Sequence, residues 1–133
     1  MYALSEAMLT GVPQLDGEHQ DLVLCINRLE DAERNGDLAE VLRLLAIFKS
    51  GLAEHFAREE AYLGLISFPR LDAHAKHHSE TIVALERMVE ELQAGASILG
   101  EIAAQCFNEL LQAVLLMDMQ VINWRADRQL AGA

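Results

Sequence analysis

Along most of this chain apolar residues recur at intervals of three and four, the spacing that puts side chains on one face of an α-helix. Four such stripes can be traced, and no stretch alternates in the manner of a half-buried strand. The first, over residues 17–34, reads His19, Leu22, Val23, Ile26 and Leu29. The second, over residues 38–63, reads Val41, Leu45, Phe48, Leu52, His55, Glu59 and Leu63. A third, over 69–92, carries Leu71, His74, His78, Ile82, Leu85 and Val89. The fourth, over 97–129, carries Phe107, Leu111, Val114, Asp118, Ile122 and Arg125. Between them stand Asn35-Gly36-Asp37, then Ser67-Phe68-Pro69, then Gly95 and Ser97, all residues that interrupt helices. Asp16 is placed to cap the first helix, and Asp37 with Glu40 has the spacing of a capping box. Connections this short make successive helices antiparallel neighbours. The pattern predicts an all-α fold, an up-down-up-down antiparallel four-helix bundle behind an irregular N-terminal arm, in a single domain over residues 1–133.

Composition narrows the class of partner. A hydrophobic fraction of 52% supplies a core and excludes a disordered chain. Twenty-one acidic residues against ten basic ones give a net charge of -11, and no Lys/Arg cluster exists to track phosphates. Nucleic acid is therefore not an expected partner, and the same acidity opposes an anionic membrane surface. Leu110–Met117, the longest uncharged apolar stretch, is far too short to span a bilayer. Met1–Gly11 lacks the features of a signal peptide, so a cytoplasmic location is expected. Cys25 and Cys106 form no CxxC pair and are expected to be reduced, mostly buried thiols.

The chemistry lies in the polar residues that fall on apolar stripes. A carboxylate there is costly unless paired or bound to a cation. Glu59 sits on the second stripe one turn after His55, His74 and His78 share a face of the third, and His19 lies on the first. Asp118 follows an uncharged run on the fourth. A single inward histidine is more often a hydrogen-bonded core residue, and a single His-x-x-x-Glu is usually an exposed pair. Their coincidence on three consecutive inner faces points instead to a metal site. Imidazole with carboxylate suits iron, zinc, manganese or copper and matches calcium or magnesium poorly. His77 and Glu60, one step off their stripes, are expected to be solvated.

Three segments together resemble the hemerythrins, and in particular bacterial hemerythrin-like domains. They are Gly11-Val12-Pro13-x-Leu15-Asp16-x-x-His19, His55-Phe56-x-x-Glu59-Glu60, and His74-x-x-x-His78. The resemblance implies a centre of two non-haem iron ions bridged by oxo, hydroxo or water, with zinc also compatible with these ligand types. It assigns His19 and His55 to one metal, His74 and His78 to the other, and Glu59 to the bridge. The family's last helix supplies a further histidine and, five residues on, a bridging aspartate; those places fall on Asp118 and Asn123 here, with Val114 where a tryptophan is usual. Asp118 would be a shorter, anionic ligand, and Asn123 could offer only a neutral amide oxygen.

The resemblance further implies binding of dioxygen or another small diatomic or anion. A carboxylate replacing imidazole favours ferric iron, which argues for a sensor of oxygen, nitric oxide or redox state over a faithful oxygen carrier or store. The Thr10-Gly11-Val12-Pro13 opening resembles domains joined to signalling outputs such as diguanylate cyclases, so an output domain or partner protein is expected to be reached through the last helix. Catalysis is not expected: the Glu-x-x-His pairs of ferritin-type oxidases are absent, as are the signatures of other chemistries, which leaves a di-iron oxidase or peroxidase as a weaker reading. A metal-free bundle acting through protein contacts is the remaining alternative.

Overall fold

In the computed structural model the described residues are 1–5, 13–95 and 98–131, without the side chains at 116–119, 122, 126 and 129–131. The Thr10-Gly11-Val12 segment and Ser97 lie outside them. Helices α1 (Pro13–Arg34), α2 (Leu38–Leu65) and α3 (Leu71–Gln93) are followed by a fourth rod. That rod consists of α4 (Ile102–Gln112), a π-helical turn (Ala113–Asp118) and α5 (Met119–Ala131). The rods pack as an all-α four-helix bundle, α1 against both α2 and α4, and α2 against α3. No strand occurs among the described residues.

Helix starts and stops follow local chemistry. Among the described residues α1 runs from Pro13, ahead of the expected Asp16 cap, and proline is tolerated in a first helical turn, where it loses no intrahelical hydrogen bond. It ends with the N–H of Asp37 on Ala32 O and that of Gly36 on Glu33 O, Gly36 taking φ +65°. This is a Schellman stop, which needs a left-handed residue. Asp37 then caps α2 by accepting the Glu40 N–H at 3.2 Å. The Glu40 side chain pairs with Arg43 and does not complete the box.

α2 ends in the same way, with Phe68 N–H on Leu63 O and Ser67 N–H on Gly64 O, but the left-handed position is Ser67 at φ 57°. The stop buries Phe68 beside Leu63 and Val121, with Trp124 packed against them. A side chain at positive φ is disfavoured relative to glycine. Ser67→Gly is therefore expected to stabilise the fold by up to about 1 kcal/mol, read as a higher midpoint in urea. A lower midpoint would contradict this account of the turn.

The fourth rod departs most from expectation. Gly95 and Gly100 take φ +85° and +108°, so the helix starts at Ile102 and not near residue 97. Its first turn is capped from α1: the Glu33 carboxylate accepts N–H groups from Gly100, from Ile102 at 2.9 Å and from Ala103 at 2.7 Å. The buried face runs through Ile102, Ala103, Cys106, Leu110, Ala113 and Val114, one residue ahead of the Phe107–Leu111 stripe read from the sequence. A π turn then carries extra residue length per turn, so α5 is rotated from where an unbroken α-helix would put it.

The main core fills the bundle with Ile26 and Leu29 of α1, Leu45, Phe48 and Leu52 of α2, Leu85 of α3 and Leu110 of α4. The N-terminal arm is tied down by Asn27, whose amide accepts from Tyr2 N at 2.6 Å and donates to Tyr2 O at 3.1 Å. The Tyr2 ring meets Phe107 at 4.7 Å. Cys25 is half-buried and Cys106 buried, both as free thiols.

Candidate metal centre

Toward one end of the bundle the apolar core gives way to imidazoles. His19, His55, His74 and His78 are all buried, and Glu59 is only 2% exposed among them. The heptad-like spacing that fills the core elsewhere also delivers these side chains inward, His55 and Glu59 from one face of α2, His74 and His78 from one face of α3.

The two oxygens of Glu59 address different helices. Oε2 lies 3.4 Å from His55 Nε2, whereas Oε1 lies 3.2 Å from His78 Nε2 and 3.7 Å from His74 Nδ1. His19 Nε2 is 3.1 Å from His55 Nε2. Bonds of about 2.1 Å to a common ion, opened between a right angle and a tetrahedral angle, hold donor atoms roughly 3.0–3.4 Å apart. The closest contacts fall in that window on both sides of Glu59. One ligand atom each from Glu59, His74 and His78 fits within 4.8 Å of the others. Both ring nitrogens of His74 are buried with no hydrogen-bond partner among the described residues. Buried imidazole nitrogens are normally satisfied, so these donors fit a cation held on the His74–His78 side.

Carboxylates and aromatic rings support the histidines from outside. His55 Nδ1 donates to Glu18 Oε1 at 2.8 Å, and Arg58 Nε donates to the other oxygen of Glu18. His78 Nδ1 donates to Glu60 Oε2 at 3.1 Å, while Phe56 stacks on the His78 ring at 3.8 Å. Phe68, delivered by the Ser67 turn, meets His74 edge-on at 5.1 Å. Such carboxylate–imidazole contacts fix the tautomer and ring orientation of metal-binding histidines.

Two expectations about neighbouring residues are thereby corrected. Glu60 is not a free outer charge, because its side chain is long enough to turn back onto His78. His77 is half-buried, with Nε2 enclosed and no hydrogen-bond partner among the described residues. Glu18 was not singled out at all. Its signal was position alone, directly before His19 and so flanking the inward face.

Asn123 does not join the cluster. It is exposed and lines a surface cleft of about 230 Å³ with Phe68, Pro69, Arg70, Gln120, Trp124 and Asp127. Positions five apart lie about 140° apart around an α-helix, and the π turn ends at Asp118, before it could bring the two together. The Asp118 side chain lies outside those described.

Burial, and next the charge of the His55 ring, push the His19 pKa down to about 4. Burial also opposes charge on His55, but the Glu59 and Glu18 carboxylates outweigh it and raise that pKa. In the metal-free protein an unfolded histidine titrates near about 6.5 while folded His19 stays neutral. The unfolded chain thus binds more protons, and the His19 contribution to stability, complete above that value, is lost as pH falls toward about 4. His55 acts oppositely: its contribution is complete below about 6.5 and is lost as pH rises through its raised folded value. The melting temperature of metal-free His19→Leu should therefore fall less steeply than that of the parent as pH is lowered through this window. Equal slopes would contradict the assignment.

A helical bundle that gathers four imidazoles around one buried carboxylate belongs to the class of bundle metal-binding proteins. The chain is a member of the hemerythrin family: residues 10–120 match the model of the hemerythrin HHE cation binding domain. It is 29% identical over 126 residues to a bacteriohemerythrin of Ralstonia nicotianae, covering 93% of this chain and 88% of that protein. It is also 27% identical over 93 residues to a bacteriohemerythrin of Pseudomonas aeruginosa, covering 70% of this chain and 61% of that one. No helix among the described residues is long and apolar enough to cross a membrane.

Proposed function

We propose that this protein holds two non-haem iron ions, binds dioxygen or a related diatomic molecule there, and reports oxygen or redox state without catalysing a reaction. The observation that carries the reading is the division of Glu59, with one oxygen toward His55 and the other toward His78. His19 and His55 would hold one iron and His74 and His78 the other, with Glu59 between them. The iron pair, when bound, supplies reversible redox chemistry and an open position for the diatomic ligand.

The chain does the rest. Glu18 and Glu60 accept hydrogen bonds from Nδ1 of His55 and of His78, whose Nε2 atoms lie on the side of Glu59. Phe56, Phe68 and the core beyond exclude bulk water, which strengthens each charge interaction inside. Because Asn123 lies at the surface, Glu59 is the one carboxylate among the described residues that reaches both histidine pairs. A metal pair sharing one carboxylate would be more open to water and to oxidation. That favours a sensor over an oxygen store, and the π turn leading into α5 is the element best placed to pass a change at the centre onward to an output domain or partner protein.

The test is an anaerobic iron(II) titration followed by admission of air, with optical spectra recorded throughout. Two equivalents of iron and prompt oxidation on exposure to oxygen are expected. Failure to bind iron would sink the reading, and a long-lived adduct reversed by removing oxygen would replace the sensor with a carrier. Peroxide turnover far above that of free iron would establish an enzyme instead.

A further inference from the structure

The histidines of the centre are not supported alike, and the difference follows the two sides of Glu59. A carboxylate can only accept a hydrogen bond, so an imidazole nitrogen 2.8 Å or 3.1 Å from one carries the hydrogen. Nδ1 is therefore the protonated nitrogen of both His55 and His78, and in each neutral ring Nε2 keeps its lone pair. Those Nε2 atoms are the ones that lie 3.4 Å and 3.2 Å from Glu59.

We propose that Glu18 and Glu60 are positioning residues, each holding one histidine in the tautomer and orientation that turns Nε2 toward Glu59, and each serving a different half of the centre. The proposal rests on the metal-binding reading above and adds residues to it. Glu18 reaches from α1 to His55 on α2 and is gripped on its far oxygen by Arg58, one turn beyond His55. Its side chain is 17% exposed, so water competes weakly for it. Glu60 is 34% exposed, and no arginine or lysine pairs with it among the described residues. On that side the ring plane is set instead by Phe56, stacked within 6° of parallel to His78. The Arg58–Glu18–His55 chain is thus a clamped support, and Glu60–His78 a partly solvated one.

The roles separate in an experiment on the full chain with two readouts. Long-range nitrogen–proton NMR on metal-free and zinc(II)-loaded protein, recorded at a pH where the rings are neutral, reports the tautomer of each histidine. Native mass spectrometry during anaerobic iron(II) titration reports the first and second metal equivalents. Glu18→Ala is expected to mix the tautomers of metal-free His55 and to weaken one of the two equivalents by about ten- to a hundredfold, leaving the other unchanged. Glu60→Ala is expected to do the same to His78 and to the opposite equivalent, with the smaller loss. Glu18→Gln should keep most of the parental tautomer preference and affinity, because an amide oxygen can accept the same Nδ1–H. Should Glu18→Ala fail to fold, Arg58→Gln leaves Glu18 in place but unclamped, and a partial shift of the His55 tautomer is expected.

Unchanged tautomers in these variants would overturn the proposal, as would equal weakening of both equivalents in step with a lowered melting temperature. If the parent protein bound no iron, the metal-binding reading would fail by itself. The tautomers of His55 and His78 in the metal-free variants would still decide whether Glu18 and Glu60 position them.

Discussion

Glu59→Gln is expected to abolish tight binding of both metal equivalents while leaving the folded bundle intact. Loss of an outer partner of a metal ligand costs about ten- to a hundredfold in affinity, and loss of a shared inner carboxylate should exceed that at each position. Glutamine nearly matches the shape of glutamate but brings no negative charge, so it could not offset the two cations of the proposed centre. The metal-free protein should respond differently. A buried carboxylate carries a desolvation cost that a neutral amide avoids, while the amide forgoes the attraction to His55, so without metal the variant should melt near the parent temperature. The expected signature is therefore a melting temperature that no longer rises when iron(II) is added. A variant that kept both equivalents at parental affinity would remove Glu59 from the centre.

Phe48→Ala should unfold the protein far more readily. Phe48 is fully buried on α2 in the main core, and a buried aromatic truncated to alanine costs about 3–5 kcal/mol. Domains have only about 5–15 kcal/mol to lose, so the metal-free variant should sit near the edge of folding. Binding to the folded state alone should return part of the loss, about 4 kcal/mol at a thousandfold excess of free metal over its dissociation constant. Urea unfolding with and without iron(II) measures both effects. A loss below about 1 kcal/mol would mean that the core is not packed as described.

The sequence made the first three helices legible because each carries an uninterrupted stripe and a stop residue with a specific backbone task. Gly36 ends α1 and Asp37 caps α2 as expected, without the reciprocal Glu40 contact of a capping box, and Pro13 and Pro69 stand at or just before the starts of helices. The stripes also bring His19, His55, Glu59, His74 and His78 into one place, because spacings of four persist through α2 and α3. The fourth rod was read one residue out of phase over Phe107 and Leu111, although Val114 is buried as expected, and α3 drifts in the same way, burying Thr81 and Met88 where Ile82 and Val89 were expected. Drawing its stripe through Asp118 selected Phe107 and Leu111, whereas packing selects Cys106 and Leu110. Nothing in the apolar run Leu110–Met117 marks a π turn, since no proline or glycine is needed to make one. Glu18 and Glu60 were hidden for another reason: periodicity assigns a residue to a face by its Cα, and a glutamate side chain is long enough to return from the flank of a helix to a buried ring.

In the proposed centre one carboxylate, Glu59, lies between two metal positions built from separate histidine pairs. Crystals of iron-loaded protein, with diffraction collected on both sides of the iron absorption edge, would locate the metals without assumptions about ligands. Two anomalous peaks flanking the Glu59 carboxylate are expected, one beside His19 and His55 and one beside His74 and His78. A single peak, or iron bound only at the acidic surface, would contradict the proposed centre.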